Sequence, residues 1–425
     1  MTLSLFDLVA IFLTLSALIG WLNLKLFKLP TGVAMLVVGL VATLGLVGVD
    51  RAAPSLGVGA AVGDLLQRVD FSTAVLRFML AYLLFAGAMH VDFDALKQRG
   101  WTAAVLATLG VVISAGVIGG GFWLAAHLIG VRLSFAWALV FGVLISPTDP
   151  VGVLATLKRT TLVPDIRALI EGEALFNDGV GVVLFGAALT LATGGGTVAP
   201  GPLVGQVLLQ AGGGGALGLL AGLIAIQGMR SIDDYVVEVG ITLALATGVY
   251  ALTQALHFSG PIAVVVAGLM LGRHSQREQM SEQTRRYTRA FWTIIDENLN
   301  GILFLLVGLE VFALDFDPLV DALAVATIPL IFVARWASLA GPSALLAFLD
   351  RGVKPGLVVV LTWAGVRGGL SLAMALSLAP SRERAVILAA TYCIVVFSVI
   401  AQSLTLEKVI IRLGYGRGLV DTVHL

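Results

Sequence analysis

The chain has 425 residues, 58% of them hydrophobic and only 12% charged, with 26 basic residues balancing 26 acidic ones. Soluble domains carry roughly 25% charged residues, and the mean hydropathy here is +1.00, so a soluble protein is excluded and a multi-pass membrane protein is expected. No long single-sign block points to nucleic acid, and the single cysteine, Cys393, excludes an intramolecular disulfide and a cysteine-based metal cluster.

Apolar runs of about 17 to 25 residues recur along the chain without the alternation of a closed barrel, so the expected fold is an all-α helix bundle. About thirteen transmembrane helices are placed near 4–24, 30–49, 71–90, 101–129, 133–157, 166–193, 202–229, 234–252, 257–272, 290–313, 318–348, 355–379 and 384–412. The first run lacks a basic segment before it and reads as a retained span, not a signal peptide. With the N-terminus outside, this count puts eighteen Lys and Arg on the inner loops and five on the outer ones. Basic residues accumulate on the cytoplasmic side, so the split supports both the count and a cytoplasmic C-terminus. Arg77, Arg335 and Arg367 fall inside spans.

The longest polar stretches are an outer loop at 50–70 and an inner loop at 273–289, so a single transmembrane domain over 1–425 is expected, with no separate soluble domain. Gly214, Gly218 and Gly222 form a ridge at four-residue spacing, which lets helices approach closely.

The fifth span contains Ser146-Pro147-Thr148-Asp149-Pro150. Each proline lacks an N–H and its ring clashes with a preceding carbonyl, so carbonyls near Gly142 to Ser146 are freed at membrane depth. Thr148 and Asp149 add side-chain oxygens there, and a small hard cation binds such oxygens. The twelfth span, VLTWAGVRGGLSLA, has Gly365, Gly368 and Gly369 around Arg367. Two Pro- or Gly-interrupted spans in corresponding positions point to a transporter site. They lie seven spans apart, an odd number, as an inverted repeat crossing at mid-membrane requires.

The sixth span opens with Glu171, Glu173, Asn177 and Asp178. Glu173 and Asn177 are four apart, as are Ala174 and Asp178, so both pairs stack on one helix face. Carboxylates at membrane depth mark ion or proton pathways. Burial favours the protonated form of a carboxylate and a bound cation the ionised form, so proton and cation compete for Asp178, the minimal device for exchange. Arg367 is charged at any ordinary pH, and Glu173 is its expected partner. Arg335 is open to Glu310, Asp296 or a carbonyl, and Arg77 has no assignable role.

At these residues the chain resembles the NhaP-type sodium/proton antiporters of the monovalent cation:proton antiporter family, from about Leu24 to Leu413. SPTDPVGVLATLK at 146–158, EGEALFNDGVGVVLF at 171–185, LNGILFLLVGLE at 299–310 and WAGVRGGLSLAMALSL at 363–378 carry the resemblance. It implies that Asp178 binds the ion and the proton, that Asn177, Asp149 and Thr148 support it, and that Asp178, Asp149 and Thr148 ligate a transported Na+ or Li+. It implies a Glu173–Arg367 ion pair and a homodimer in the cell (inner) membrane. An elevator-like core, about 98–195 and 318–414, would work against a dimerisation part, about 1–93 and 200–315. Many members have an acidic residue where this chain has Ala86 and a serine where it has Ala174, so two candidate oxygen ligands are missing.

The expected activity is one-for-one exchange of a monovalent cation for H+. The alternatives are K+/H+ exchange on the same fold, and a passive cation channel or non-transporting membrane sensor. The five histidines show no ligand spacing and neither GxSxG nor HExxH occurs, so no enzyme activity and no cofactor are expected. The partners are the ions, the lipid bilayer and a second copy.

Overall fold

The computed structural model describes residues 5–53, 79–149, 153, 160–162, 164–194, 200–276, 280–310, 317–348 and 355–418. Arg77 and Pro150 lie outside them. Among the described residues the regular structure is helical, apart from one short strand pair. Its elements are α1 (Leu5–Leu22), α2 (Thr31–Ala52), α3 (Leu80–His90), α4 (Phe93–Ile129), α5 (Phe135–Leu144), β1 (Thr160–Leu162), α6 (Pro164–Thr193), α7 (Pro200–Met229) and α8 (Tyr235–Ala255). They continue with α9 (Gly260–Gln276), α10 (Glu282–Leu309), α11 (Pro318–Ala347), α12 (Pro355–Trp363), α13 (Gly369–Leu376), α14 (Arg382–Phe397), α15 (Ser403–Arg412) and β2 (Gly416–Gly418). Among the described residues, nine helices are long and apolar enough to cross a membrane.

Local chemistry explains where the helices begin and end. Ser134, Asp234, Ser281, Asp317 and Ser381 each cap a helix N-terminus with a side-chain oxygen, which satisfies N–H groups that have no intrahelical partner. The inner loop expected at 273–289 is shorter than its polarity suggests. Ser281 starts α10 at Glu282, so three arginines, Arg285, Arg286 and Arg289, ride on a helix that extends past the apolar run. Pro261 sits in the first turn of α9, where a missing N–H costs nothing.

Helix packing falls mainly into two sets. α4 packs on α5, α6 and α11, and α11 packs on α14 and α12. In the other set α2 packs on α10, and α9 packs on α3, α7 and α8. The glycine ridge works as expected: Gly214 and Gly218 lie directly on backbone carbonyls of Ser259 and Ala263, and a Cβ on Gly222 would come within 2.9 Å of Met270 Sδ. α2 and α10 meet the same way, because a Cβ on Gly308 would lie 2.8 Å from Gly39 Cα. Thr43 seals that contact by donating to Gly308 O at 3.1 Å.

The all-α expectation needs one addition. β1 and β2 pair antiparallel, with Thr161 opposite Arg417, so the chain just after α15 is bound by backbone hydrogen bonds to the segment just before α6.

Candidate functional site

The fifth apolar segment stops being helical at Leu144, and residues 145–149 are irregular. The twelfth is interrupted between Trp363 and Gly369, at the end of α12 and the start of α13. The two irregular stretches touch: Asp149 donates its N–H to Val366 O at 2.7 Å. Each stretch compensates the charge of the other. Arg367 donates Nη1 to Ser146 O and, at 2.9 Å, to Pro147 O. Those carbonyls follow the C-terminus of α5, where the helix dipole favours a cation. The Asp149 carboxylate lies against Gly368, the residue that opens α13, where the dipole favours an anion. Only a residue without Cβ leaves room for Asp149 at that position.

Helix α6 supplies the remaining polar groups. Gly181 faces the Pro147 ring so closely that a Cβ would overlap it, which brings the α6 backbone against the irregular stretch. One turn away, Asn177 is fully buried and spends its amide on protein. Its Nδ2 donates to Thr148 Oγ1 at 2.7 Å and to Glu173 Oε1 at 3.1 Å, and its Oδ1 accepts from Thr148 N–H at 3.3 Å. Asn177, expected to support Asp178, ties α6 to the Thr148 stretch through these bonds. Glu171 is engaged on its own helix, accepting from Arg167 Nε at 2.8 Å.

The expected Glu173–Arg367 pair is corrected. Glu173 is held by Arg335 of α11 in a bidentate pair, Nη1 to Oε1 at 2.8 Å and Nη2 to Oε2 at 2.5 Å, with both residues buried. The Arg335 side chain crosses the second irregular stretch, since a Cβ on Gly365 would stand 2.8 Å from its Nε. Arg367 instead answers the carbonyls freed by the proline-broken segment. Both assignments obey the same requirement, that a buried guanidinium find acceptors, but they assign the partners differently.

Asp178 stands apart. It is half-buried, lies within the electrostatic reach of Asp149, Glu173 and Arg367, and accepts no hydrogen bond among the described residues. Sequence reading missed two supports. Gln402 donates Nε2 to Trp363 O at 3.2 Å, satisfying the carbonyl where α12 ends, and Trp363 Nε1 donates to Thr405 Oγ1 at 2.9 Å.

A multi-pass helix bundle with two interrupted segments in contact, carrying opposite charges and flanking an uncommitted carboxylate, belongs to the class of membrane ion-handling proteins. The comparisons with known proteins agree. Residues 13–412 match the transmembrane sodium/hydrogen exchanger family. The Na(+)/H(+) antiporter NhaP of Pseudomonas aeruginosa is 40% identical over 97% of this chain and 98% of its own length. The Na(+)/H(+) antiporter NhaH of Halobacillus aidingensis is 34% identical over 92% and 93%. The structure of the sodium proton antiporter MjNhaP1 from Methanocaldococcus jannaschii superposes with a TM-score of 0.71 at 19% identity, covering 96% of this chain and 98% of that one. The chain belongs to the sodium/hydrogen exchanger family and has the fold of MjNhaP1.

Proposed function

We propose that this protein is a secondary active antiporter of the cell membrane that exchanges a monovalent cation, Na+ or Li+ in preference to K+, for H+. The observation that carries the reading is the state of Asp178: its neighbours Asp149, Glu173 and Arg367 have compensating contacts, and Asp178 takes no hydrogen bond among the described residues. Its occupant is then a proton or a cation, with Asp149, whose charge acts on Asp178, and Thr148, which is bonded to the adjacent Asn177, as the further oxygen donors. Both loaded forms have the same charge, so exchange is one for one and electroneutral.

In this reading the chain crosses the membrane about thirteen times with the N-terminus outside, and the interrupted segments belong to inverted repeats. The helices around α4, α6 and α11 move as an elevator against the helices around α2, α9 and α10, which also hold the homodimer. The separation of helix packing into those two sets, and the sodium/proton antiporters among the relatives, support it.

The test is fluorescence dequenching in everted vesicles under an imposed pH gradient, with Na+, Li+ and K+ added in turn. Na+ and Li+ should collapse the gradient and K+ should do so poorly, and Asp178→Asn should abolish every response while leaving the protein folded. A response to K+ above that to Na+ overturns the cation assignment, and proton-coupled flux retained in Asp178→Asn overturns the mechanism.

A further inference from the structure

The interruption between α12 and α13 leaves the Trp363 carbonyl without its helical donor. In an unbroken helix Trp363 O accepts from the N–H four residues on, that of Arg367. Here Ala364 N–H still reaches Val360 O at 2.8 Å, but Gly365 N–H goes to Thr362 O at 3.3 Å and Val366 N–H to Ala364 O at 2.8 Å. None of these backbone bonds ends on Trp363 O. Its donor comes from a distant part of the chain, as Gln402 Nε2 at 3.2 Å. That bond replaces the one the interruption removes, at the point where the irregular stretch leaves α12.

The chain around Gln402 is built to aim it. Ser398–Gln402 is a single π-helical turn between α14 and α15, and such turns are frequent at functional sites. Gln402 is 2% exposed, and Ser398, four residues before it, donates Oγ to its Oε1. With the amide oxygen taken by a hydroxyl, the NH2 is the end left to face Trp363 O. Two further contacts hold Trp363 by its side chain. Its Nε1 donates to Thr405 Oγ1 at 2.9 Å, and its ring stacks on Phe332 of α11 with centroids 5.1 Å apart. The residue that enters the irregular stretch is thereby fixed, and three residues further on Val366 O accepts from Asp149 N–H at 2.7 Å. Arg367 follows, with its Nη1 on the Ser146 and Pro147 carbonyls.

We propose that Gln402 is a positioning residue for the exchange. By holding the Trp363 carbonyl it sets where Val366 and Arg367 meet the 146–149 stretch, and so where Asp149 and Thr148 stand as oxygen donors to the cation on Asp178. It touches no transported ion itself. The inference rests on the antiport reading and adds to it a residue from a π-helical turn that carries none of the site's charges.

Sodium-driven proton movement in proteoliposomes tests it, with the thermal midpoint measured on the same preparations. Gln402→Leu, which keeps the bulk and removes the donor, should raise the apparent KM for Na+ at least fivefold and lower the maximal rate less than twofold, because the cation's oxygens are displaced while Asp178 still takes its proton. Ser398→Ala frees the amide to turn and should give the same kind of change at a smaller size. In Gln402→Glu a protonated carboxyl donates to Trp363 O as the amide does, so at the acid end of the activity range its KM should be within twofold of wild type at the same pH. A merely structural role would lower the thermal midpoint and the maximal rate at an unchanged KM. That result, or a Gln402→Glu as impaired as Gln402→Leu at acid pH, overturns the proposal. Should Gln402→Leu not fold, Ser398→Ala decides, and an unchanged KM there refutes it. Wild-type protein that moves no protons with any cation overturns the antiport reading and this inference with it, whereas an active wild type with an unaffected Gln402→Leu removes the positioning role alone.

Discussion

Replacing Glu173 by Gln leaves Arg335 buried with its charge uncompensated. The wild-type pair consists of two charge-assisted hydrogen bonds at 2.8 and 2.5 Å, each worth about 1.5–3 kcal/mol. Removing one member of a buried pair typically costs about 3–5 kcal/mol, and the two routes to the magnitude agree. A loss of about 3–5 kcal/mol is expected for Glu173→Gln, and a similar loss for Arg335→Gln. The double variant no longer buries an unmatched charge, so it should recover part of the loss, with a coupling energy of about 2–3 kcal/mol. Reversible SDS unfolding of purified protein in mixed micelles measures all four corners of the cycle. The parallel cycle of Glu173 with Arg367 should show much weaker coupling, because the hydrogen bonds of Arg367 among the described residues run from Nη1 to the Ser146 and Pro147 carbonyls and none reaches Glu173. If Arg367→Gln rescues Glu173→Gln better than Arg335→Gln does, the assignment of partners is wrong.

Gly368→Ala places a methyl group on the Asp149 carboxylate and should reduce exchange at least tenfold in protein that still purifies as a folded species, measured by vesicle dequenching. Gly218→Val pushes α7 off the Ala263 carbonyl; overpacking typically costs about 1–3 kcal/mol, seen as a lower thermal midpoint with the cation dependence of exchange retained. Exchange should also be insensitive to voltage. In proteoliposomes with a fixed pH gradient, a potassium-valinomycin potential, worth about 2.3 kcal/mol per charge per 100 mV, should leave the end point of sodium-driven dequenching flat. A steady shift would mean that a second carboxylate, Asp149 first, titrates in the cycle.

The bundle was legible in the sequence because a membrane leaves few solutions: long apolar runs become helices, and basic residues sort by side. The two irregular stretches were legible because Pro147 and the glycines around Arg367 cannot sit quietly inside a helix. The partner of Glu173 was not. Helical spacing places Glu173 and Asn177 on one face of α6 but does not say which helix lies opposite. Arg335 gave no sign of its reach, since it sits within a continuous helix between Pro329 and Pro342. Gly365 held the clue and was read only as part of the chain break, although it also makes room for the Arg335 side chain. The role of Asn177 was hidden for a related reason. Beside an aspartate, its amide reads as a support of the site, and only the fold shows that its three hydrogen bonds end on Thr148 and Glu173.

In the proposed antiport those details leave one group to do the exchanging. Asp149 rests at the start of α13 and Arg367 at the end of α5, so each interrupted segment neutralises the charge carried by the other. Glu173 is matched by Arg335 across the bundle, and Asn177 fixes the α6 face to the Thr148 stretch. Every one of these contacts would have to break before its residue could change charge during a cycle, and breaking a buried ionic contact is costly. Asp178 has no such contact to break among the described residues. In the proposed antiport its charge is therefore the one that the transported species would neutralise, and a site that holds either one proton or one monovalent cation would couple their movements without any further device.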